Sequence, residues 1–77
     1  MITCKFPYNP VLDGMSYANE VLTIGFKKGL KVQYRSYNAS KEVSYKLFYS
    51  KTAAGCLKIY SNDIKGKCEV IDVKQSK

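Results

Sequence analysis

The sequence contains no histidine and no tryptophan, and only one of its thirteen cationic residues is an arginine, Arg35. Without histidine, the chain lacks the side chain that most often acts as a general base near neutral pH. A cysteine nucleophile needs such a base beside it to hold the thiolate, and the six acidic residues are scattered with no spacing that suggests a catalytic pair. We therefore expect a protein that is not an enzyme and that has no catalytic residues.

Cysteine is scarce, and its three positions are Cys4, Cys56 and Cys68. An odd number does not fit the paired cysteines of a secreted disulfide scaffold. The three positions also lack the CxxC spacing and the fourth ligand that a structural zinc site needs. Because Cys56 and Cys68 lie in or near apolar patterns, we interpret them as small buried hydrophobic residues and expect no metal and no cofactor.

Long apolar runs are also missing, and the N-terminal stretch MITCKFPYNP has neither the length nor the character of a signal or membrane segment. Together with the unpaired cysteines, this predicts a cytoplasmic protein in a reducing compartment with no membrane partner. A length of 77 residues predicts one domain, residues 1–77, with a core over about 11–73 and a polar tail at 74–77. A domain of this size has a thin core and little room for a deep cleft.

The chain is strongly basic, since thirteen Lys and Arg residues stand against six Asp and Glu and give a net charge of +7. Lysine is a hydrated point charge that suits phosphate attraction, whereas the arginine fork suits planar bidentate reading. The balance therefore favours contact with a charged backbone over the reading of individual bases. The alternative is that the excess charge only keeps a small protein soluble.

An antiparallel hairpin over residues 20–37 is the clearest pattern. In EVLTIGF (20–26), Leu22, Ile24 and Phe26 share one face. Lys27–Gly29 forms the connection, and GLKVQYRSY (29–37) is the partner strand. Alternation places Leu30, Val32 and Tyr34 on the buried face of that strand and leaves an open face formed by Lys31, Gln33, Arg35 and Tyr37. Phe26, Tyr34 and Phe48 are assigned to the core because they lie in phase with aliphatic residues.

Weaker patterns flank the hairpin. Residues 1–10 predict an arm or a short edge element, and 11–17 a strand with a turn or bulge at Asp13-Gly14. The main helix is predicted at about 40–52, capped by Asn38 or Ser40 and stopped by Gly55, with an apolar stripe of Val43, Leu47 and Phe48. Residues 56–64 fit helix or strand, and we favour a short second helix. A turn at 65–67 leads to a last strand at 68–73. The fold class is thus α+β: a small antiparallel sheet, made of hairpin 20–37 and flanking strands, with one main helix (about 40–52) packed on one face.

Three stretches within about residues 15–67 form a recognisable set: MSYANEVLTIGFKKG, KVQYRSYNASKEV and SKTAAGCLKIYSNDIKGK. They resemble the KTSC domain, a short module found at the C-terminus of some lysyl-tRNA synthetases and as a free-standing bacterial or phage protein. The resemblance implies a small α+β module, for which RNA binding is the usual suggestion. The chain departs from the family at its central Tyr-x-Tyr, since Tyr34 and Tyr37 are one residue further apart and fall on opposite faces of a regular strand.

Two functions from different classes follow. The first is a polyanion site for RNA, DNA or an anionic nucleotide, in which Tyr37 stacks on a base and the contacts come from Lys27, Lys28, Lys31, Gln33, Arg35, Tyr37, Lys65 and Lys67. The second is a small phage- or mobile-element-type protein that binds and inhibits a host protein through a strand edge or the tyrosines of 45–60. Assembly of a homodimer is a third use of the same surface.

Overall fold

Five antiparallel strands form one sheet, and the helices that connect the fourth strand to the fifth cover one of its faces. The computed structural model describes residues 2–50 and 52–75. Its elements, in chain order, are β1 (Ile2–Lys5), β2 (Leu12–Ala18), β3 (Val21–Lys28), β4 (Lys31–Asn38), α1 (Lys41–Ser50), α2 (Ala53–Ile59), a π-helical turn (Tyr60–Ile64) and β5 (Val70–Gln75). The strands lie in the order β1-β2-β3-β4-β5. The α+β fold with a helix packed on a small antiparallel sheet is therefore confirmed.

Two-residue turns join the three central strands. Asn19 and Glu20 connect β2 to β3 with φ of 52° and 64°, and Gly29 begins the turn to β4 with φ of 65°. Turns with positive φ match the right-handed twist of the strands that they join. The predicted hairpin over 20–37 is confirmed, but its connection is Gly29-Leu30 and not Lys27–Gly29, because β3 continues through Lys28.

This change of connection reverses the faces predicted for β4. In the structure Gln33 lies opposite Phe26, and Tyr37 lies opposite Leu22. A connection at 27–29 would instead have placed Leu30 opposite Phe26, and a shift by an odd number of residues moves every side chain to the other face. The buried face predicted from Leu30, Val32 and Tyr34 is therefore wrong. The β4 face predicted to be open is instead the face that the helices cover. It carries Lys31, Gln33, Arg35 and Tyr37.

The core lies between this sheet face and the helices. The sheet supplies Leu12, Met15, Tyr17, Leu22, Ile24 and Tyr37, and the helical layer supplies Val43, Leu47, Cys56, Ile59 and Ile64. Of the three aromatic residues predicted in the core, Phe26 packs against it and is partly buried. Tyr34 lies on the opposite face and is 37% exposed, and Phe48 is about half exposed beside the buried Leu47. The α1 stripe is therefore narrower than predicted and consists of Val43 and Leu47.

The helical layer begins with α1, which agrees with the predicted main helix, although Lys51 lies outside the described residues. The short second helix is also confirmed, but it begins at Ala53 because the Thr52 hydroxyl accepts a hydrogen bond from the Gly55 amide at 3.1 Å. Gly55 thus belongs to the first turn of α2 and does not stop α1. A Cβ at Gly55 would collide with Ser50, which explains the glycine.

The ends of the chain form the two edges of the sheet. The predicted N-terminal arm or edge element is β1, and the predicted irregularity at Asp13-Gly14 is a register shift between Leu12 and Gly14 in β2. The predicted last strand is β5, which runs on to Gln75 and so includes the first half of the predicted polar tail. The remainder of that tail, residues 76–77, lies outside the described residues.

Candidate functional site

A pocket of about 200 Å³ opens on the helix-covered side of the sheet, beside the β3–β4 hairpin. We call it the basic pocket, and its lining consists of Phe26, Lys27, Lys28, Gln33, Arg35 and Tyr60. The hairpin supplies five of these residues, and the sixth, Tyr60, opens the π-helical turn that follows α2. Because three of the six carry a positive charge, the pocket combines cationic and aromatic groups in one small volume.

Aromatic rings form one side of the basic pocket. The Phe26 and Tyr60 rings meet edge to face with their centroids 5.2 Å apart, and Tyr60 makes the same kind of contact with Tyr37 at 6.0 Å. Tyr37 is only 2% exposed, so its ring belongs to the core. The prediction that Tyr37 stacks on a base is therefore wrong, because the register turns it toward Leu22. Phe26 and Tyr60 are partly exposed and occupy the place that the sequence interpretation gave to Tyr37.

Arg35 is held in place from two sides. Its Nε donates a hydrogen bond of 2.9 Å to the Gln33 Oε1 atom, which lies two residues along the same strand face. Its guanidinium carbon lies 5.9 Å from the centroid of the Phe26 ring, within cation–π distance. These contacts fix the plane of the guanidinium group, so that little side-chain freedom is lost when it meets an anion.

The buried phenol below Arg35 stays neutral. Burial, with a smaller contribution from the hydrogen bond with Tyr60, raises the pKa of Tyr37 to about 12 against the opposing positive charge of Arg35. At neutral pH the Tyr37 hydroxyl is therefore protonated and does not neutralise the guanidinium charge.

The lysines of the hairpin add positive charge without a described counter-ion. The Lys27 ammonium donates to the Pro7 carbonyl oxygen at 3.0 Å, which ties the loop after β1 to the pocket rim. Lys28 lies directly opposite Lys31 in the last pair of the hairpin, an arrangement of like charges that destabilises a sheet. In the described part of the chain, ion pairs join Lys46 to Asp63 and Lys74 to Asp72, and none involves a cation of the basic pocket.

The structure brings together half of the residues predicted to bind a polyanion. Four of the eight line the basic pocket: Lys27, Lys28, Gln33 and Arg35. Lys31 is exposed opposite Lys28 but does not line the pocket, and Lys65 and Lys67 are exposed on the turn after the π-helical turn. The sequence interpretation missed Phe26 and Tyr60 as pocket residues. No sequence signal indicates that Phe26 and Tyr60 are in contact, because the two rings meet only when the helical segment packs on the hairpin.

The open face of the sheet has a second, smaller depression of about 130 Å³ over the paired glycines Gly14 and Gly25. The Tyr34 ring lies across Gly25, since a Cβ at Gly25 would come within 3.0 Å of the ring. This packing against the glycine explains the presence of Tyr34 without a role in binding. Lys5 and Asp13 in its lining have opposite charges. This depression therefore attracts anions less than the basic pocket does.

The cysteine sulfurs lie away from the basic pocket. Burial, with a smaller contribution from the neighbouring Cys4, raises the pKa of the Cys56 thiol to about 11, so Cys56 is a thiol at neutral pH. Within residues 2–50 and 52–75, no group of three or more Cys, Asp or Glu side chains is placed to hold a metal ion. None of the described helices is both long enough and apolar enough to cross a membrane.

Comparisons with protein-family models, curated proteins and solved structures find no match to this chain. The function is therefore inferred from the geometry of the basic pocket.

Proposed function

We propose that this protein is a non-enzymatic binding module that holds a nucleic acid strand by its phosphates and by one base in the basic pocket. The observation that supports this proposal is the placement of Lys27, Lys28 and Arg35 around the exposed parts of Phe26 and Tyr60, with no described carboxylate to neutralise them. Phosphate contacts supply most of the affinity in such binding, and an aromatic ring beside them suits a base that is not paired.

The size of the pocket favours one unit of a strand over a complete small molecule. Small-molecule sites usually enclose about 300 to 1,000 Å³, whereas the basic pocket measures about 200 Å³. A single base against Phe26 and Tyr60, with its phosphates near Lys28 and Arg35, fits this volume. A duplex keeps its bases stacked inside, so the proposal favours single-stranded RNA or DNA over duplex DNA.

The resemblance to the KTSC domain supports the same proposal from another direction, because RNA binding is the usual suggestion for that family. The resemblance covers about residues 15–67, from the middle of β2 to the turn after the π-helical turn, and therefore includes Phe26, Arg35 and Tyr60. We keep the family membership itself as a proposal.

Fluorescence anisotropy with labelled single-stranded RNA, single-stranded DNA and duplex DNA tests the proposal. Three pocket cations predict a slope of log affinity against log salt of roughly −2, which weakens single-strand binding roughly 15-fold between 50 and 200 mM salt. Binding that is independent of salt, or tightest to the duplex, would contradict it.

Arg35→Gln removes one pocket cation and its fork, and we expect it to weaken binding and to reduce the salt slope by about 0.7 for the lost charge. Lys41→Gln is the matched control, since Lys41 is an exposed lysine at the start of α1, away from the pocket lining. Equal losses in the two variants would show that only the net charge matters and that the basic pocket is not the site.

A second candidate function is binding to a host protein, and exposed aromatic residues on α1 favour it. Tyr45 and Tyr49 are largely exposed, and Phe48 between them meets the Tyr49 ring at 5.4 Å. Tyrosine and phenylalanine on one helix face are typical of protein interfaces. Tyr45→Ser together with Tyr49→Ser should abolish capture of such a partner from lysate while leaving nucleic acid binding unchanged.

A further inference from the structure

The strand β5 forms one edge of the sheet and exposes apolar side chains. It pairs with β4 on one side only, and it is the last strand in the described sheet. Its side chains Val70, Ile71 and Val73 are each about half exposed. An edge strand with exposed β-branched aliphatic residues is a template for pairing with another strand, and monomeric proteins usually protect such an edge.

We propose that β5 pairs antiparallel with β5 of a second copy of this chain. With Val73 opposite Val73 of the second copy, Asp72 of each copy lies opposite Lys74 of the other. Both residues lie on the same sheet face, since Asp72 is opposite Ser36 and Lys74 is opposite Tyr34 in β4. Opposite charges directly across an antiparallel pair stabilise it, so the cross-strand charge pairs favour this register over others.

The charge of β5 itself does not oppose this contact, since Asp72 and Lys74 balance each other within the strand. The segment from Glu69 to Lys74 carries two acidic residues and one basic residue, although the whole chain has a net charge of +7. Within one chain Asp72 already meets Lys74 at 3.5 Å. In the pair of copies, each carboxylate would lie between two ammonium groups, which strengthens the arrangement.

The proposed pairing also places the two basic pockets on one surface. Val73 lies opposite Arg35 in β4. The row across the joined sheet therefore reads Arg35, Val73, Val73 and Arg35, and three strand spacings separate the two arginines by roughly 14 Å. This exceeds the screening length of about 8 Å at physiological salt, so their repulsion is small. A two-fold axis through the strand pair keeps both pockets on the same face.

One consequence depends on the proposed function, whereas the pairing itself does not. Two pockets on one face can hold the same nucleic acid strand, and the second contact then forms at a high effective concentration. The interface is a single strand pair and falls below the roughly 1,200 Å² of a stable complex. We therefore expect a weak dimer that a shared ligand strengthens.

Sedimentation equilibrium of the full chain, without nucleic acid, from micromolar to millimolar concentration tests the pairing. We expect the mean mass to rise from that of one chain toward that of two. Asp72→Lys should raise the dimer dissociation constant roughly tenfold, since it turns two attractive cross-strand pairs into repulsive ones. The double variant Asp72→Lys with Lys74→Asp should restore dimerisation, because it exchanges the charges and keeps their pairing.

Replacement of an apolar side chain at the centre of the proposed strand pair gives an independent measurement of dimerisation. Val73→Lys should abolish the rise in mass, and Val11→Lys is its control because Val11 has a similar exposure and lies outside β5. Circular dichroism confirms that each variant is folded. A wild-type mass that stays at one chain at millimolar concentration would overturn the proposal and leave the edge for a strand of another protein. Failure of the double charge exchange to restore dimerisation would overturn it as well.

Discussion

Truncation of two tyrosines on β4 decides which face of that strand lies in the core. Tyr37 is 2% exposed, contacts Tyr60 and lies opposite the buried Leu22. Removal of a buried aromatic ring costs about 3–5 kcal/mol. A domain of this length has a free energy of unfolding of about 4–12 kcal/mol. Tyr37→Ala should therefore remove between a quarter and all of the free energy of unfolding.

Tyr34→Ala is the matched comparison on the opposite face. Tyr34 is 37% exposed and covers Gly25. Because a third of its surface already meets water, we expect its removal to lower the free energy of unfolding by about 1 kcal/mol. Tyr37→Phe keeps the ring and removes only the hydroxyl that bonds Tyr60, so it should cost about 1 kcal/mol.

Urea unfolding followed by circular dichroism at 25 °C measures these differences as shifts of the midpoint at constant slope. The expected order of loss is Tyr37→Ala well above Tyr34→Ala. If Tyr34→Ala lost as much stability as Tyr37→Ala, the register of the β3–β4 hairpin would be wrong. Gln33 and Arg35 would then lie on the open face, and the basic pocket would not exist on the helix side.

Two further predictions concern protons and thiols. Tyr37 and Cys56 have pKa values raised from 10.0 to about 12 and from 9.0 to about 11. The folded state therefore holds both protons more tightly, and its stability is complete below pH 9 and falls as the pH rises toward 12. For Tyr37 the loss is about 3 kcal/mol, and Tyr37→Phe should flatten this part of a plot of urea midpoint against pH. A profile of the same slope in both proteins would contradict the assignment. Cys56 should be the last of the three cysteines to react with iodoacetamide at pH 8, as mass spectrometry of the digested protein can show, and all three should react alike in urea.

The strands and helices followed from local patterns. Alternation in Leu22, Ile24 and Phe26 predicted β3 and its core face correctly, because a strand buried on one face repeats every two residues. Val43 and Leu47 predicted α1 in the same way, since residues four apart share a helix face. The second helix and the bulge in β2 were also predicted, although their ends differed by a few residues.

The error with the largest effect on the candidate site concerns a relation between elements. Alternation in β4 gave two faces but not which of them is buried, because Val32 and Tyr34 fit a core as well as Tyr37 does. The turn decided it, since Gly29 adopts a positive φ at the first position of a two-residue connection and Lys28 stays in β3. An error of a few residues in the turn was enough to exchange the faces.

The residues of the candidate site were likewise predicted only in part. The sequence identified Lys27, Lys28, Gln33 and Arg35 from charge and from their closeness along the chain, and these four line the pocket. It did not identify Phe26 and Tyr60 as partners of these residues. It also predicted a ligand contact for Tyr37, whose side chain is buried in the core.

The amino-acid sequence by itself determined the basic charge, the lack of histidine, the α+β class and the positions of the strands and helices. These properties depend on composition or on residues close together in the chain, where propensity and periodicity act directly. Only the tertiary structure decided the buried face of β4, the meeting of Tyr60 with Phe26 and the exposed edge of β5. Each of these depends on how distant segments pack, and the free energy of that packing is shared among many side chains that no local pattern connects.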